Sequence, residues 1–217
     1  MTTSARKITN TGTSKNIGRF FSAKMQLGIW YESLLERDYM YLLEIDPQVL
    51  SYSSQPLKIT YALDNKKRQY TPDFLVERHD SRQIVEIKPA SQLKSASNSQ
   101  KLPIIAQIFQ QEGWEFVIIT DAMIRREPLL SNIKLLYRYA LIPLPLPILI
   151  NCHKYFRNQP TLTLQEAEND LKPHGIGRGT LLKLIFTGFL ATNLMTPINK
   201  LSPISLCPSQ WERSITE

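Results

Sequence analysis

Cysteine and histidine are scarce in this chain, which has only Cys152 and Cys207, and only His79, His153 and His174. Two thiols in 217 residues cannot build a disulfide framework and fit a reducing cytoplasm. No His/Cys cluster has the spacing of a zinc site. Long apolar runs are missing too. The longest, residues 140–150, is too short to span a bilayer and is interrupted by Pro143, Pro145 and Pro147. The first 24 residues lack acidic side chains and the apolar core of a secretory signal. A soluble cytoplasmic chain that does not enter a membrane is expected.

Positive charge is what the chain has, a formal +7. With 42% hydrophobic and 21% charged residues it is composed like a globular protein, long enough for one domain and a small appendage. The basic excess favours a polyanionic partner, nucleic acid before an anionic surface. Arg6, Lys7, Lys15, Arg19 and Lys24 lie in an opening segment rich in Ser, Thr, Asn and Gly, which cannot fold alone. Residues 1–24 read as a flexible basic arm, either a solvated tail or one that orders on a phosphate backbone.

Residues 27–44 read as a helix with Leu34, Leu35, Tyr39, Leu42 and Leu43 on its apolar stripe, stopped by Asp46-Pro47. Strands follow at 58–63 and 69–78, joined by a turn over 64–68, and a third at 83–88. After a polar loop at 91–101, a helix at 102–111 leads to a buried strand at 115–120, and Asp121 caps a helix running towards Tyr139. This order predicts an α/β domain over 25–142, a mixed sheet flanked by helices. Residues 143–150 form a Pro-rich connector.

In 151–217, Thr163-Leu164-Gln165-Glu166 has capping-box spacing, residues 175–179 make a Gly-rich turn, and a helix at 180–189 precedes a hairpin within 191–206. That is the outline of a winged helix. The glycines lack the Gly-Lys-Ser/Thr of a phosphate-binding loop. Seven basic and five acidic residues make this unit weakly charged for a DNA reader. Apolar surface left by Ile185, Phe186, Phe189, Leu190 and Leu194 is expected to serve a protein partner.

The chemistry lies in Tyr70-Thr71-Pro72-Asp73-Phe74-Leu75-Val76 and Ile84-Val85-Glu86-Ile87-Lys88. Strand side chains alternate, so Glu86 and Lys88 share a face while Val85 and Ile87 enter the opposite layer. Antiparallel pairing brings Asp73 near Glu86, and a divalent cation relieves the repulsion between them. Phosphodiester cleavage needs an activated water and neutralised phosphate charge. Mg2+ (or Mn2+) on carboxylates supplies both, with Lys88 orienting or deprotonating the water or stabilising the transition state. Pro72-Asp73, twelve residues and Glu86-x-Lys88 match the Pro-Asp…(Asp/Glu)-x-Lys signature of restriction-endonuclease-like nucleases. Lys94 and Lys101 are candidate DNA contacts in a polar loop, and Trp114 reads as core.

Glu32-Ser33-Leu34-Leu35-Glu36, Tyr-Leu-Leu-Glu-Ile-Asp-Pro at 41–47, Gln55-Pro56, the stretches at 70–76 and 85–90, and Gly113-Trp114-Glu115-Phe116 leading to Thr120-Asp121 resemble the TnsA family. TnsA is the endonuclease subunit of heteromeric cut-and-paste transposases. The likeness covers about 29–140, and beyond it only size and helical pattern agree. It implies a restriction-endonuclease-like fold and a helical glutamate, Glu36, completing a metal set with Asp73 and Glu86, Lys88 being catalytic. Glu32, one turn earlier, and Glu44 are rivals for that place. It further implies 5′-end cleavage of transposon DNA beside a TnsB-like transposase that cuts and joins the 3′ ends. A TnsC-like AAA+ ATPase would engage the C-terminal unit. A stand-alone restriction or repair nuclease of the same fold and a non-catalytic DNA-binding scaffold are the alternatives.

Overall fold

The computed structural model describes residues 16–159 and 161–207, so Arg6, Lys7 and Lys15 lie outside the described residues. The chain divides between Arg126 and Glu127 into two units. Backbone punctuation explains why the boundary precedes the expected one. The helix expected from Asp121 towards Tyr139 stops after one turn, α4 Asp121–Ile124, and a second helix, α5 Leu129–Tyr137, starts after Pro128. Proline cannot continue a preceding helix, because its ring clashes and its N–H is missing.

The first unit opens with a hairpin, β1 Gly18–Ser22 and β2 Leu27–Tyr31. The expected flexible arm is thus ordered from Gly18, and the expected helix begins late, as α1 Leu34–Ile45. Ile29-Trp30-Tyr31 favours strand over helix, and Ser33 caps α1 by accepting the Glu36 N–H at 3.1 Å.

A strand not anticipated, β3 Val49–Ser54, leads to the ribbon of β4 Ile59–Leu63 and β5 Lys66–Tyr70. Its turn is only Asp64-Asn65, at φ 53° and 56°, so the basic residues expected in the loop are strand residues. The single strand expected over 69–78 is broken at Thr71-Pro72-Asp73, since Pro72 cannot donate to a ladder. The chain then enters β6 Phe74–Arg78 and β7 Arg82–Lys88. Two helices, α2 Ala90–Leu93 and α3 Ala96–Gln111, fill most of the expected loop and lead to β8 Glu115–Thr120.

The main sheet has the order β3-β6-β7-β8, with β8 parallel to β7 and the other neighbours antiparallel. Hence the sheet is mixed, with α3 in the crossover. Tyr61, Tyr70, Ile84, Ile105 and Phe109 form a core that includes the ribbon, β7 and α3. Phe74, from the alternate face of β6, meets Tyr39 of α1 and Tyr52 of β3 edge-on at centroid distances of 5.6 and 6.4 Å.

In the second unit, α5 is followed by α6 Leu146–Arg157, β9 Leu162–Thr163, α7 Leu164–Leu171, α8 Arg178–Phe186, β10 Leu190–Ala191 and β11 Pro203–Leu206. α6 uses most of the expected connector, with Pro147 in its first turn, where a missing N–H costs nothing. The Thr163/Glu166 capping box forms. The small sheet has the order β10-β11-β9. Buried Asn132 of α5 fixes the β10–β11 connection, donating to the carbonyls of Leu194 and Thr196 at 2.8 Å and accepting the Ile198 N–H at 3.0 Å. Ile185, Phe186, Phe189 and Leu190 are buried core, not the apolar surface expected of them. Among the described residues of this unit, the large exposed apolar side chains are instead Leu141, Leu146, Ile150, Met195 and Leu201.

Candidate active site

The break at Pro72 delivers Asp73 to the mouth of β6. The β6–β7 register pairs Phe74 with Val85, so one step further Asp73 stands opposite Glu86. Asp73 Oδ2 accepts the Ile87 N–H at 2.6 Å, and the Asp73 carbonyl accepts the N–H of Gln55 at 2.9 Å. Those two main-chain bonds hold the carboxylate between its neighbouring strands. Gln55 does so in a left-handed conformation, φ 46°, rare for a residue other than glycine.

Glu86 is buried, 2% exposed, and a carboxylate so placed needs partners. Its Oε1 pairs with Lys88 Nζ at 2.7 Å, and its Oε2 accepts the Tyr70 hydroxyl at 2.5 Å. Tyr70 also lies beneath Lys101, whose Nζ sits 5.4 Å from the ring centroid. Glu36 takes the Glu32 N–H on Oε2 at 2.8 Å and the Ser33 hydroxyl on Oε1 at 2.9 Å.

The electrostatics join the four expected residues. Loss of hydration, reinforced by Glu86 and Glu36 and opposed by Lys88, pushes the Asp73 carboxyl up to about 8. Burial likewise holds the Glu36 carboxyl above its ordinary range, against Lys88 and its own hydrogen bonds. For Lys88 burial acts downward, but Glu86, Asp73 and Glu36 together outweigh it and hold the ammonium above its usual pKa. A surplus of carboxylate around one lysine is a site short of positive charge.

A hard divalent cation fits the chemistry of this donor set, since Mg2+ is commonly held by one or two carboxylates, waters and substrate phosphate. Among the described residues, however, no three His, Cys, Asp or Glu side chains are gathered to hold an ion. Glu86 and Glu36 have given their oxygens to Tyr70, Lys88 and the first turn of α1. Asp73 and Glu86 are the facing pair, and Glu36 acts on Asp73 and Lys88 through its charge.

The other candidates separate. Glu44 is no rival ligand: its carboxylate accepts from Ser22 Oγ, Tyr52 OH and the Lys24 N–H at 2.5, 2.7 and 3.0 Å. Lys24, expected on DNA, instead donates Nζ to the carbonyls of Asp46 and Val49 at 2.6 Å, closing the C-terminal end of α1. Arg19 is exposed on β1, and Lys94 is exposed at the end of α2. Sequence reasoning missed Tyr70 and Gln55. The Pro72 break hints at Tyr70, while nothing in composition announces a left-handed Gln55.

No helix among the described residues is long and apolar enough to cross a membrane. No curated protein matches the chain. A family model described as TnsA-like endonuclease N terminal matches residues 46–121. That span contains Tyr70, Asp73, Glu86, Lys88, Lys94 and Lys101 and leaves Glu36 outside. Over residues 46–121, then, the chain is similar to the N-terminal domain of TnsA-like endonucleases.

Proposed function

We propose that the chain is the metal-dependent DNA endonuclease subunit of a heteromeric transposase. It hydrolyses phosphodiesters at the 5′ ends of a transposon during cut-and-paste transposition. The observation that carries this reading is the facing of Asp73 and Glu86 with Lys88 on the same strand face, 2.7 Å from Glu86.

Asp73 and Glu86 would hold Mg2+ (or Mn2+), with Glu36 as the third contributor once its capping bonds yield. The ion's chemistry there is to polarise water and to neutralise phosphate charge. Lys88, kept protonated by its carboxylate neighbours, acts as a fixed positive charge and hydrogen-bond donor where charge develops, not as a base. Tyr70 keeps Glu86 oriented, and Gln55 keeps the Asp73 segment in place. Lys94 and Lys101, on the α2–α3 side, and Arg19 serve as contacts to double-stranded DNA.

The second unit is read as winged-helix-like, supported by the element order of α6, β9, α7, α8, β10 and β11 with β11 central. Its helix α8 is unsuited to reading a groove: Leu181, Leu182, Leu184, Ile185 and Phe186 are buried, and Lys183 donates to the Ala140 carbonyl. A protein partner fits better, a TnsC-like AAA+ ATPase, with a TnsB-like transposase completing the complex at the DNA end.

The test is cleavage of transposon-end DNA in Mg2+, with and without a TnsB-like transposase and a TnsC-like ATPase. Strand breaks at the 5′ ends that need Mg2+ and the partners are expected. Cleavage of unrelated DNA by the chain alone would favour a restriction or repair nuclease. No cleavage in any combination would leave a DNA-binding scaffold.

A further inference from the structure

The β4–β5 ribbon stands outside the four-stranded sheet. Ile59, Tyr61, Leu63 and Tyr70 anchor it on the core built with α3. Every residue of β5 before Tyr70 is exposed, namely Lys66, Lys67, Arg68 and Gln69. A row of consecutive cations on a rigid ribbon repels itself and gains most from an anionic partner.

The register divides these cations. Arg68 pairs with Tyr61 and Lys66 with Leu63, while Lys67 pairs with Ala62. Arg68 and Lys66 therefore share the face of Tyr70, and Lys67 points the other way. Tyr70 hydrogen-bonds Glu86 and carries Lys101 over its ring. Along β5, Arg68 and then Lys66 thus follow Tyr70 in steps of two residues away from its contact with the carboxylate site. Two residues along a strand advance about 6.7 Å, close to the step between neighbouring phosphates of one DNA strand. The Arg68–Asp64 pair, 3.4 Å and exposed, is too weak to remove Arg68 from this row.

We propose that the β4–β5 ribbon is the DNA-backbone guide of this nuclease, with Arg68 and Lys66 binding consecutive phosphates of the strand that leaves the carboxylate site. The inference rests on the nuclease reading for its ligand. It differs from that reading in what it requires, namely a salt-dependent contact confined to one face of the ribbon.

The experiment uses the full chain and a short double-stranded DNA without divalent cation, so binding is read apart from cleavage. The Lys66→Gln/Arg68→Gln double variant should bind roughly tenfold more weakly at moderate salt. Its slope of log affinity against log salt should be flatter by roughly 2, about 0.9 for each lost phosphate contact. Lys67→Gln should leave the slope in place. All three positions are exposed, and thermal melting checks that the variants fold. An unchanged slope in the double variant, equal flattening by Lys67→Gln, or no salt-dependent binding by the unaltered chain would each overturn the proposal. A face-specific slope together with no Mg2+-dependent cleavage would uphold the guide and count against the nuclease reading alone.

Discussion

Asp73→Asn tests the carboxylate pair without relying on catalysis. Within the fold the Asp73 carboxyl is pushed from 3.8 up to about 8, first by burial and then by Glu86. Between those values the folded chain keeps a proton that the unfolded chain has released. The protonated form therefore stabilises the fold fully below pH ~4, and this contribution is lost as pH rises through ~8. A shift of about four pH units sets an upper limit on the order of 5 kcal/mol. Partial exposure of Asp73 and solvent screening reduce that to on the order of 2–3 kcal/mol. For a chain of this length the corresponding change in melting temperature is roughly 5–10 °C.

Asparagine copies the protonated side chain and still offers an oxygen to the Ile87 N–H. Melting should be followed in chelator from pH 5 to 9. The two proteins should differ least near pH 5, and Asp73→Asn should become progressively the more stable as pH rises, the gap levelling off above ~8. Effects shared by both chains cancel in the difference. Mg2+ or Mn2+ should restore the unaltered chain at high pH and do little for the variant. A pH-independent difference, or an Asn variant that is less stable at pH 8, would refute the reasoning.

Lys88→Ala should slow cleavage by roughly 10²- to 10³-fold while changing DNA affinity little, measured by single-turnover cleavage and gel shift. Tyr70→Phe removes one hydrogen bond to a buried carboxylate and should cost about 2 kcal/mol by chemical denaturation, with a lower cleavage rate as Glu86 loses its orientation. Lys24→Met should destabilise the fold with DNA affinity retained, whereas Arg19→Gln should do the reverse, lowering the salt slope by roughly 1. Equal effects of both on DNA binding would restore Lys24 to the DNA-contacting set.

The sequence was most legible where one signal dominated. β7 sets Glu86 and Lys88 among Ile84, Val85 and Ile87, so its strand character and shared charged face could be read directly. β3 escaped because Ser51, Ser53 and Ser54 dilute its apolar content, and its stability comes from the β6 ladder and from Tyr52 on Phe74. Of the first hairpin, β2 was absorbed into a helix by periodicity continued upstream of α1, and β1 into the basic arm. The hairpin turn includes Gln26 at φ 57°, a residue with no compositional flag for such a conformation. The candidate site was legible as Glu36, Asp73, Glu86 and Lys88, but the side chains that support them were not. The Tyr70–Glu86 bond spans 16 positions, and the Gln55–Asp73 bond exists only once β3 and β6 are paired.

Two buried carboxylates in the first unit show why burial alone does not mark the site. Glu44 and Glu86 are similarly hidden, 5% and 2% exposed. Glu44 meets two hydroxyls and a main-chain N–H, donors that complete it from elements it helps to join. That carboxylate ties the hairpin and β3 to α1 and needs nothing further. Glu86 has a hydroxyl and an ammonium, yet a second carboxylate is brought opposite it by the sheet register, at the point where Pro72 ends one strand and frees the next. A fold selected for stability alone gains nothing from placing Asp73 there, because repulsion and lost hydration both oppose its charge. The same arrangement becomes favourable when a cation and a phosphate enter, and it lies within reach of a ribbon whose cations would lead that phosphate in.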